Sequence, residues 1–479
     1  MTFGASERSR TWRALGIALA GGLAAVLCAS CGSERPARNV VLIVMDTVRA
    51  DHLSCYGYAR PTTPALDQLA AGADRYATAR STAPWTLPSH ASLFTGKPAY
   101  LHGADALKLP GGAIADAAPL RPDELTLAEA LAAAGYDTGA FVANRGYVNP
   151  RMGLDQGFAH FMNERFPAPR MSELALEWLG ARAGDRPWLL FMNYMDAHRP
   201  YNTTPLPPER AAQLPAPPAS GEPDAVASLE ALYLHVFERE EPPPPEMVQR
   251  VVDNYDLALA NLDAGLAELF EGLREKGLYD DALIIVTADH GEYFGEHDLV
   301  EHSKDVYEEA LRVPLIVKRP GQRAGRVIET PISLADVAGL TLDEACPAAR
   351  PSRDAFAGAR GAPGHFAQAR YARDRDLKAS WKGRFQRERD VLYVENFKLI
   401  RSSDGQHELY DLAADPHESR NVIGARAKEA ATLMGRLQRE LARGAARNKG
   451  AAALPELSDA ELKALEAELV KLGYMGEKH

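Results

Sequence analysis

Three near-continuous runs of apolar residues constrain this chain more than any other feature. Asn39-Val40-Val41-Leu42-Ile43-Val44-Met45, Trp188-Leu189-Leu190-Phe191-Met192-Asn193-Tyr194-Met195 and Ala282-Leu283-Ile284-Ile285-Val286-Thr287-Ala288 show none of the strict apolar/polar alternation of a half-solvated strand. Runs of this kind are strands buried on both faces, the habit of a parallel sheet covered by helices. Each run ends in a polar island: Asp46, then Asp196-Ala197-His198-Arg199-Pro200, then Asp289-His290-Gly291. Ligands of an open α/β sheet bind outside the carboxyl ends of its strands, so the three islands are expected to converge on one cleft. Carboxylates with an imidazole suit a divalent ion, and a hydroxyl beside such an ion is a ready nucleophile.

Thr86 supplies that hydroxyl. It lies in Ala83-Pro84-Trp85-Thr86-Leu87-Pro88-Ser89-His90-Ala91-Ser92-Leu93-Phe94-Thr95-Gly96, where turn chemistry gives way to helical spacing and a terminal glycine. A hydroxyl at a helix N-terminus faces free N–H groups and the positive end of the dipole, which favours a phosphate-like anion. Taken singly, Thr86 is an ordinary N-cap and Asp46 or Asp289 an ordinary turn residue. Only their joint occurrence raises them above that reading.

The Thr86 segment resembles the signature of the sulfatase family of the alkaline phosphatase superfamily, which reads Cys or Ser, any residue, Pro, Ser, Arg and runs into a helix ending Leu-x-Thr-Gly. Further segments match in the family's order. Asp46 to Tyr58 is similar to its opening metal segment, and Thr62-Thr63-Pro64-Ala65-Leu66-Asp67 to the following helix. Thr287 to Glu292, Gly295-Glu296-His297 and His302-Ser303-Lys304 resemble the second metal strand and the active-site lysine, with Tyr307 to Leu315 as sequel. Phe397-Lys398-Leu399-Ile400, Glu408 to Leu412 and Asp415-Pro416-His417-Glu418 resemble the small C-terminal domain. The resemblance implies an alkaline-phosphatase-like α/β fold: a large, mainly parallel sheet between helices, plus a small C-terminal antiparallel sheet with a helix.

It also implies roles. Asp46, Asp289 and His290, with the Thr86 oxygen, are expected to bind one divalent ion. Lys304 would neutralise oxygens of the transferring group, His198 would hydrogen-bond the substrate or protonate the leaving oxygen, and His302 would assist. Asn144 falls where sulfatases carry a substrate lysine. Two departures bear on the chemistry. Thr86 stands where sulfatases have the Cys or Ser that becomes formylglycine, and His90 replaces the signature Arg. No formylglycine is expected, because a threonine cannot become that aldehyde. Its hydroxyl, deprotonated beside a cation, can attack phosphorus, and water can then cleave the phosphothreonine. Thr47 and His290 stand where calcium-binding members offer Asp and Asn, and an imidazole among the ligands shifts preference from Ca²⁺ toward Mn²⁺ or Zn²⁺.

The expected activity is therefore hydrolysis of phosphoric mono- or diesters, with sulfuric esters as the alternative that the family favours. A phospho-headgroup transferase and a non-catalytic binding lipoprotein stand behind these. The substrate is expected to be a small molecule, glycan or lipid ester.

The chain begins with Arg8, Arg10 and Arg13, an apolar stretch from Ala14 to Leu27, and Cys28-Ala29-Ser30-Cys31-Gly32. This pattern is a signal peptide over residues 1–30 rather than a membrane span, since 14 apolar residues are too few to cross a bilayer. Small residues before Cys31 resemble a bacterial lipobox, so a lipidated Cys31 in the cell envelope, on the outer membrane, is expected. The net charge of −11 argues against a nucleic-acid backbone as partner. Cys55 and Cys346 are expected to be free thiols, and no zinc-finger spacing occurs.

The remaining organisation reads as a tether over 31–38, a catalytic α/β domain over 39–345 and a linker over 346–364. A small α+β unit over 365–450 and an amphipathic tail over 451–479 complete it. Residues 205–247 form a proline-rich insertion around one helix, Ala225 to Phe237, placed to overhang the cleft after His198.

Overall fold

The computed structural model describes residues 37–108, 114–202, 204, 225–239, 242–348, 356, 364–370 and 384–448. The expected signal peptide, most of the tether and linker, the amphipathic tail over 451–479, and residues 205–224 of the insertion lie outside these.

An eight-stranded sheet forms the centre. In chain order its strands are β1 (Val40–Met45), β2 (Asp74–Tyr76), β3 (Asp137–Val142), β4 (His160–Asn163), β5 (Trp188–Tyr194), β6 (Leu283–Ala288), β7 (Leu315–Lys318) and β8 (Arg326–Ile328). Their spatial order is β8-β2-β7-β6-β1-β5-β3-β4. The three apolar runs are thus the adjacent strands β6, β1 and β5, and every residue of all three is buried. Each Val, Leu or Ile so placed contributes about 1.5–3 kcal/mol relative to exposure. β7 alone runs antiparallel to its neighbours, so the sheet is mixed and mostly parallel.

Helices cover the sheet. Helix α1 (Thr86–Thr95) is buried on all sides and ends at Gly96, whose φ of 67° is the left-handed value that glycine takes without strain. Its polar side chains are satisfied internally: Ser92 Oγ meets His102 Nε2 at 3.0 Å, and the Thr95 hydroxyl donates to the Ala91 carbonyl. Two long helices, α2 (Ala168–Ala181) and α4 (Pro245–Glu275), pack on one face. Gly265 permits their contact, since a Cβ there would lie 2.4 Å from the Ala168 Cβ. The insertion contributes α3 (Ala225–Leu234), which passes into a π-helical turn at His235–Arg239.

A second, antiparallel sheet follows: β9 (His365–Ala369), β10 (Arg389–Val394), β11 (Phe397–Ser402) and β12 (Glu408–Asp411), covered by helix α5 (Ala427–Asn448). Leu392, Leu399 and Leu409 pack against Leu433 and Leu437 of α5 to form a small core of their own. This sheet grips the loop that carries Lys304, because the buried Asp305 pairs with Arg387 at 2.7 Å and Arg389 at 3.2 Å. Cys55 and Cys346 are free thiols. Among the described residues no helix is long and apolar enough to cross a membrane.

Candidate active site

Strand register explains why Asp46 and Asp289 meet. Met45 pairs with both Ala288 of β6 and Tyr194 of β5, so the three strands end at one level. Adjacent strands are about 4.8 Å apart. The next residue on two neighbouring strands is an aspartate, and both carboxyl groups leave the sheet side by side. Thr47 turns the chain at φ 61°, with its hydroxyl donating to the Ala197 carbonyl and its amide to Asp289 Oδ1 at 3.3 Å. Gly291 is required just beyond: a Cβ there would stand 2.0 Å from the Glu309 carbonyl oxygen.

Asp46, Asp289 and His290 place ligand atoms within 4.8 Å of one another, all buried. Thr86 Oγ1 lies 3.4 Å from His290 Nε2. Ser89 Oγ donates to the Asp289 carbonyl at 2.7 Å, which fixes α1 against the end of β6. Trp85, at the N-cap of α1, offers no side-chain hydrogen bond to the first turn.

The electrostatics suit a cation. Burial, reinforced in Asp46 by the charge of Asp289, pushes the Asp46 carboxyl up to about 7, and burial does the same for Asp289. Asp46 Oδ1 and Asp289 Oδ2 are buried without a hydrogen-bond partner. Two such atoms beside each other cost free energy unless a positive charge lies between them. Burial also lowers the His290 pKa, and its Nδ1 sits 3.0 Å from the Gly291 carbonyl oxygen. That contact assigns the proton to Nδ1 and turns the Nε2 lone pair toward the two carboxylates. The set therefore fits one divalent ion held by two carboxylate oxygens, an imidazole and the Thr86 oxygen.

The other expected residues fall as follows. The Asn144 amide donates to Asp46 Oδ2 at 2.7 Å and to Thr86 Oγ1 at 3.3 Å, tying the carboxylate to the Thr86 hydroxyl. His90 is wholly buried and reaches the Thr86 carbonyl rather than its hydroxyl, with Nδ1 at 3.0 Å. Burial brings its pKa down to about 3, so it is neutral and cannot supply the charge of the arginine it replaces. It stands behind the site, 3.5 Å from Asp289 Oδ2.

His198, His302 and His290 form a row of imidazoles, with ring centres 5.2 Å and 4.6 Å apart. Burial holds the His198 pKa well below its ordinary value, and Nδ1 is 2.7 Å from the Arg199 carbonyl. In that tautomer Nε2 accepts rather than donates, so His198 is placed to orient a substrate group and not to protonate the leaving oxygen. His302 Nδ1 is held by Glu292 Oε1 at 3.1 Å. Lys304 Nζ donates to the Val300 carbonyl at 2.9 Å and pairs with Glu301 at 3.3 Å, over the rings of Tyr233 and Phe237. The turn bearing it is strained: Glu301 and Ser303 adopt φ of 63° and 74°. Ser303 N donates to the Pro84 carbonyl, which joins this turn to the nucleophile loop.

Sequence reasoning missed Glu292 and Arg165. Glu292 was readable, since it directly follows Asp289-His290-Gly291. Arg165 lies in an irregular, proline-flanked segment with no periodicity to mark it. His52 and His102 are also buried.

A family model described as Sulfatase matches residues 38–343. The chain belongs to the sulfatase family. The multifunctional alkaline phosphatase superfamily protein PehA of Trinickia caryophylli is 27% identical, over 81% of this chain and 91% of that protein. The uncharacterized sulfatase YidJ of Escherichia coli is 25% identical over 81% and 83%. Among solved structures, the phosphonate monoester hydrolase of Agrobacterium radiobacter superposes with a TM-score of 0.62 at 21% identity, covering 88% of this chain and 99% of that one. The sulfatase-family chain is thus an α/β hydrolase acting on ester bonds, in a family that generally depends on a metal.

Proposed function

We propose that this sulfatase-family protein hydrolyses phosphoric mono- or diesters with Thr86 as nucleophile. The observation that carries the reading is the unmodifiable Thr86 hydroxyl, 3.4 Å from His290 Nε2 and 3.3 Å from Asn144 Nδ2. Asp46, Asp289 and His290 would hold a divalent ion, Mn²⁺ or Zn²⁺ in preference to Ca²⁺, whose charge favours the deprotonated Thr86 oxygen and neutralises the transferring group.

The chain's own residues do the rest. Asn144 holds the Thr86 oxygen and Asp46 in fixed relation, and the first turn of α1 presents N–H groups to the transferring group. Thr86 attacks phosphorus, the bond from phosphorus to the departing alcohol breaks, and the alcohol oxygen takes a proton. Water then attacks the phosphothreonine in line, releasing phosphate or a phosphomonoester and restoring the hydroxyl. A sulfate ester of threonine lacks the aldehyde exit that formylglycine provides, which is why phosphorus is placed first. The names of the relatives span both ester types, so sulfuric ester hydrolysis is the second reading.

Purified protein loaded with Mn²⁺, Zn²⁺ or Ca²⁺ should cleave nitrophenyl phosphate or bis-nitrophenyl phosphate, and Thr86→Ala and Asp289→Ala should abolish that activity. Turnover of nitrophenyl sulfate alone overturns the preference, and activity surviving in Thr86→Ala removes the nucleophile. The arginine-led apolar stretch ending at Cys31 supports placing this activity in the cell envelope, on a lipid anchor.

A further inference from the structure

Beside His198 the chain continues into a cavity of about 620 Å³, lined among others by Arg165, Phe166, Asp196, Arg199, Val226 and Leu229. That volume suits a small organic ligand. Its walls come from three sources: the loop between β4 and α2, the segment that follows β5, and helix α3 of the insertion. Phe166 and Val226 remain 40% and 50% exposed, so an apolar surface is held open toward solvent.

The charges within it are unequal in their satisfaction. Arg199 pairs with Glu301 at 3.1 Å, and the same carboxylate holds Lys304. Asp196 Oδ1 accepts from the Ala168 amide and from Asn202, and Glu230 adds a second carboxylate to the lining. Arg165 has only a 3.4 Å hydrogen bond from Nη2 to the Arg199 carbonyl, and no carboxylate among the described residues pairs with it. Its charge acts on Asp196 and Asp46 from beyond ion-pair distance, and a guanidinium with donors left over from one carbonyl hydrogen bond can still meet an anion. The whole chain carries −11, so an anionic ligand gains attraction here that most of the surface denies it. The cavity also adjoins the chemistry, because after burial Arg165 is the leading charge that depresses the His198 imidazole.

We propose that this cavity seats the alcohol half of the ester, and that Arg165 is a specificity-determining residue that pairs with an anionic substituent on that alcohol. The favoured substrates then join an apolar body to a second negative charge some way from the ester. The inference rests on ester hydrolysis at Thr86, but it holds whether the ester is phosphoric or sulfuric.

The test compares 4-nitrophenyl esters with the same esters carrying a carboxylate beside the nitro group, in phosphate and sulfate form, using the full chain, Arg165→Gln and Arg165→Lys. On whichever ester series turns over, the ratio of kcat/KM for the carboxylated substrate to that for the plain one should fall about 10- to 100-fold in Arg165→Gln and less in Arg165→Lys. The plain substrate reports that the variant is folded. Equal loss on both substrates would assign Arg165 to the transferring group or the fold and overturn the proposal, as would an unchanged preference. Calorimetric binding of the free carboxylated nitrophenol reads the cavity without turnover. Weaker binding in Arg165→Gln supports the proposal even if neither ester series reacts, and equal binding there refutes it.

Discussion

Replacing both Asp46 and Asp289 by Asn should remove from the metal-free protein a stability contribution that falls as pH rises. The two carboxyl groups move from 3.8 in the unfolded chain to about 7 when buried. A tenfold change in proton affinity is worth about 1.4 kcal/mol, so each carboxyl costs on the order of 4 kcal/mol when ionised in the native cluster. The folded pKa lies above the unfolded one. Between about pH 4 and pH 7 the native protein therefore keeps protons that the unfolded chain has released, and this pair's contribution to stability is lost as pH rises through that window. Urea unfolding of the wild type and of the Asp46→Asn/Asp289→Asn variant, in chelator at several pH values from 4.5 to 8, isolates the effect as a difference. The variant should gain on the wild type by roughly 4 kcal/mol over that range, on the scale of one carboxyl because the two are coupled. Added Mn²⁺ or Zn²⁺ should cancel the gain by stabilising only the wild type, most strongly above pH 7, where no proton must be displaced. A difference that is flat with pH, or that grows on acidification, refutes the claim that these carboxyls share a buried, cation-free pocket.

Two further outcomes follow from other contacts. Asn144→Ala removes the amide that joins Asp46 Oδ2 to Thr86 Oγ1 and the acceptor of the Tyr147 amide, and should weaken metal affinity or kcat about 10- to 100-fold while lowering the melting temperature of the chelated protein; a wild-type kcat with wild-type metal content would show that the link is idle. Cys31→Ala should abolish incorporation of labelled palmitate and release the protein from the membrane fraction, whereas a wild type that takes up no label removes the lipid anchor.

Much of the fold was legible because its central strands are so one-sided in composition. β1, β5 and β6 are covered on both faces, so their residues are uniformly apolar and their ends are marked by the first polar side chain. The four residues around the expected ion were legible for the same reason, three lying at those strand ends and the fourth, Thr86, opening a helix that ends in Gly96. Roles that depend on which atom faces which neighbour were not. That the Asn144 amide meets both Asp46 and Thr86, and that His198 Nδ1 faces a carbonyl, could be read only from the folded chain.

The linear chain alone determines the chemistry on offer: a threonine that cannot become an aldehyde, two aspartates and a histidine after buried strands, and a glycine where no Cβ fits. Apolar periodicity and residue type are local properties, and they survive in a list of letters. Tertiary structure decides how these groups are used. Strand register brings Asp46 level with Asp289, 243 positions apart, and burial then drives both carboxyls to about 7. The cavity around Arg165 likewise arises only when the β4–α2 loop, the segment after β5 and the insertion helix meet, since a shared enclosure belongs to the assembled surroundings and to no single residue.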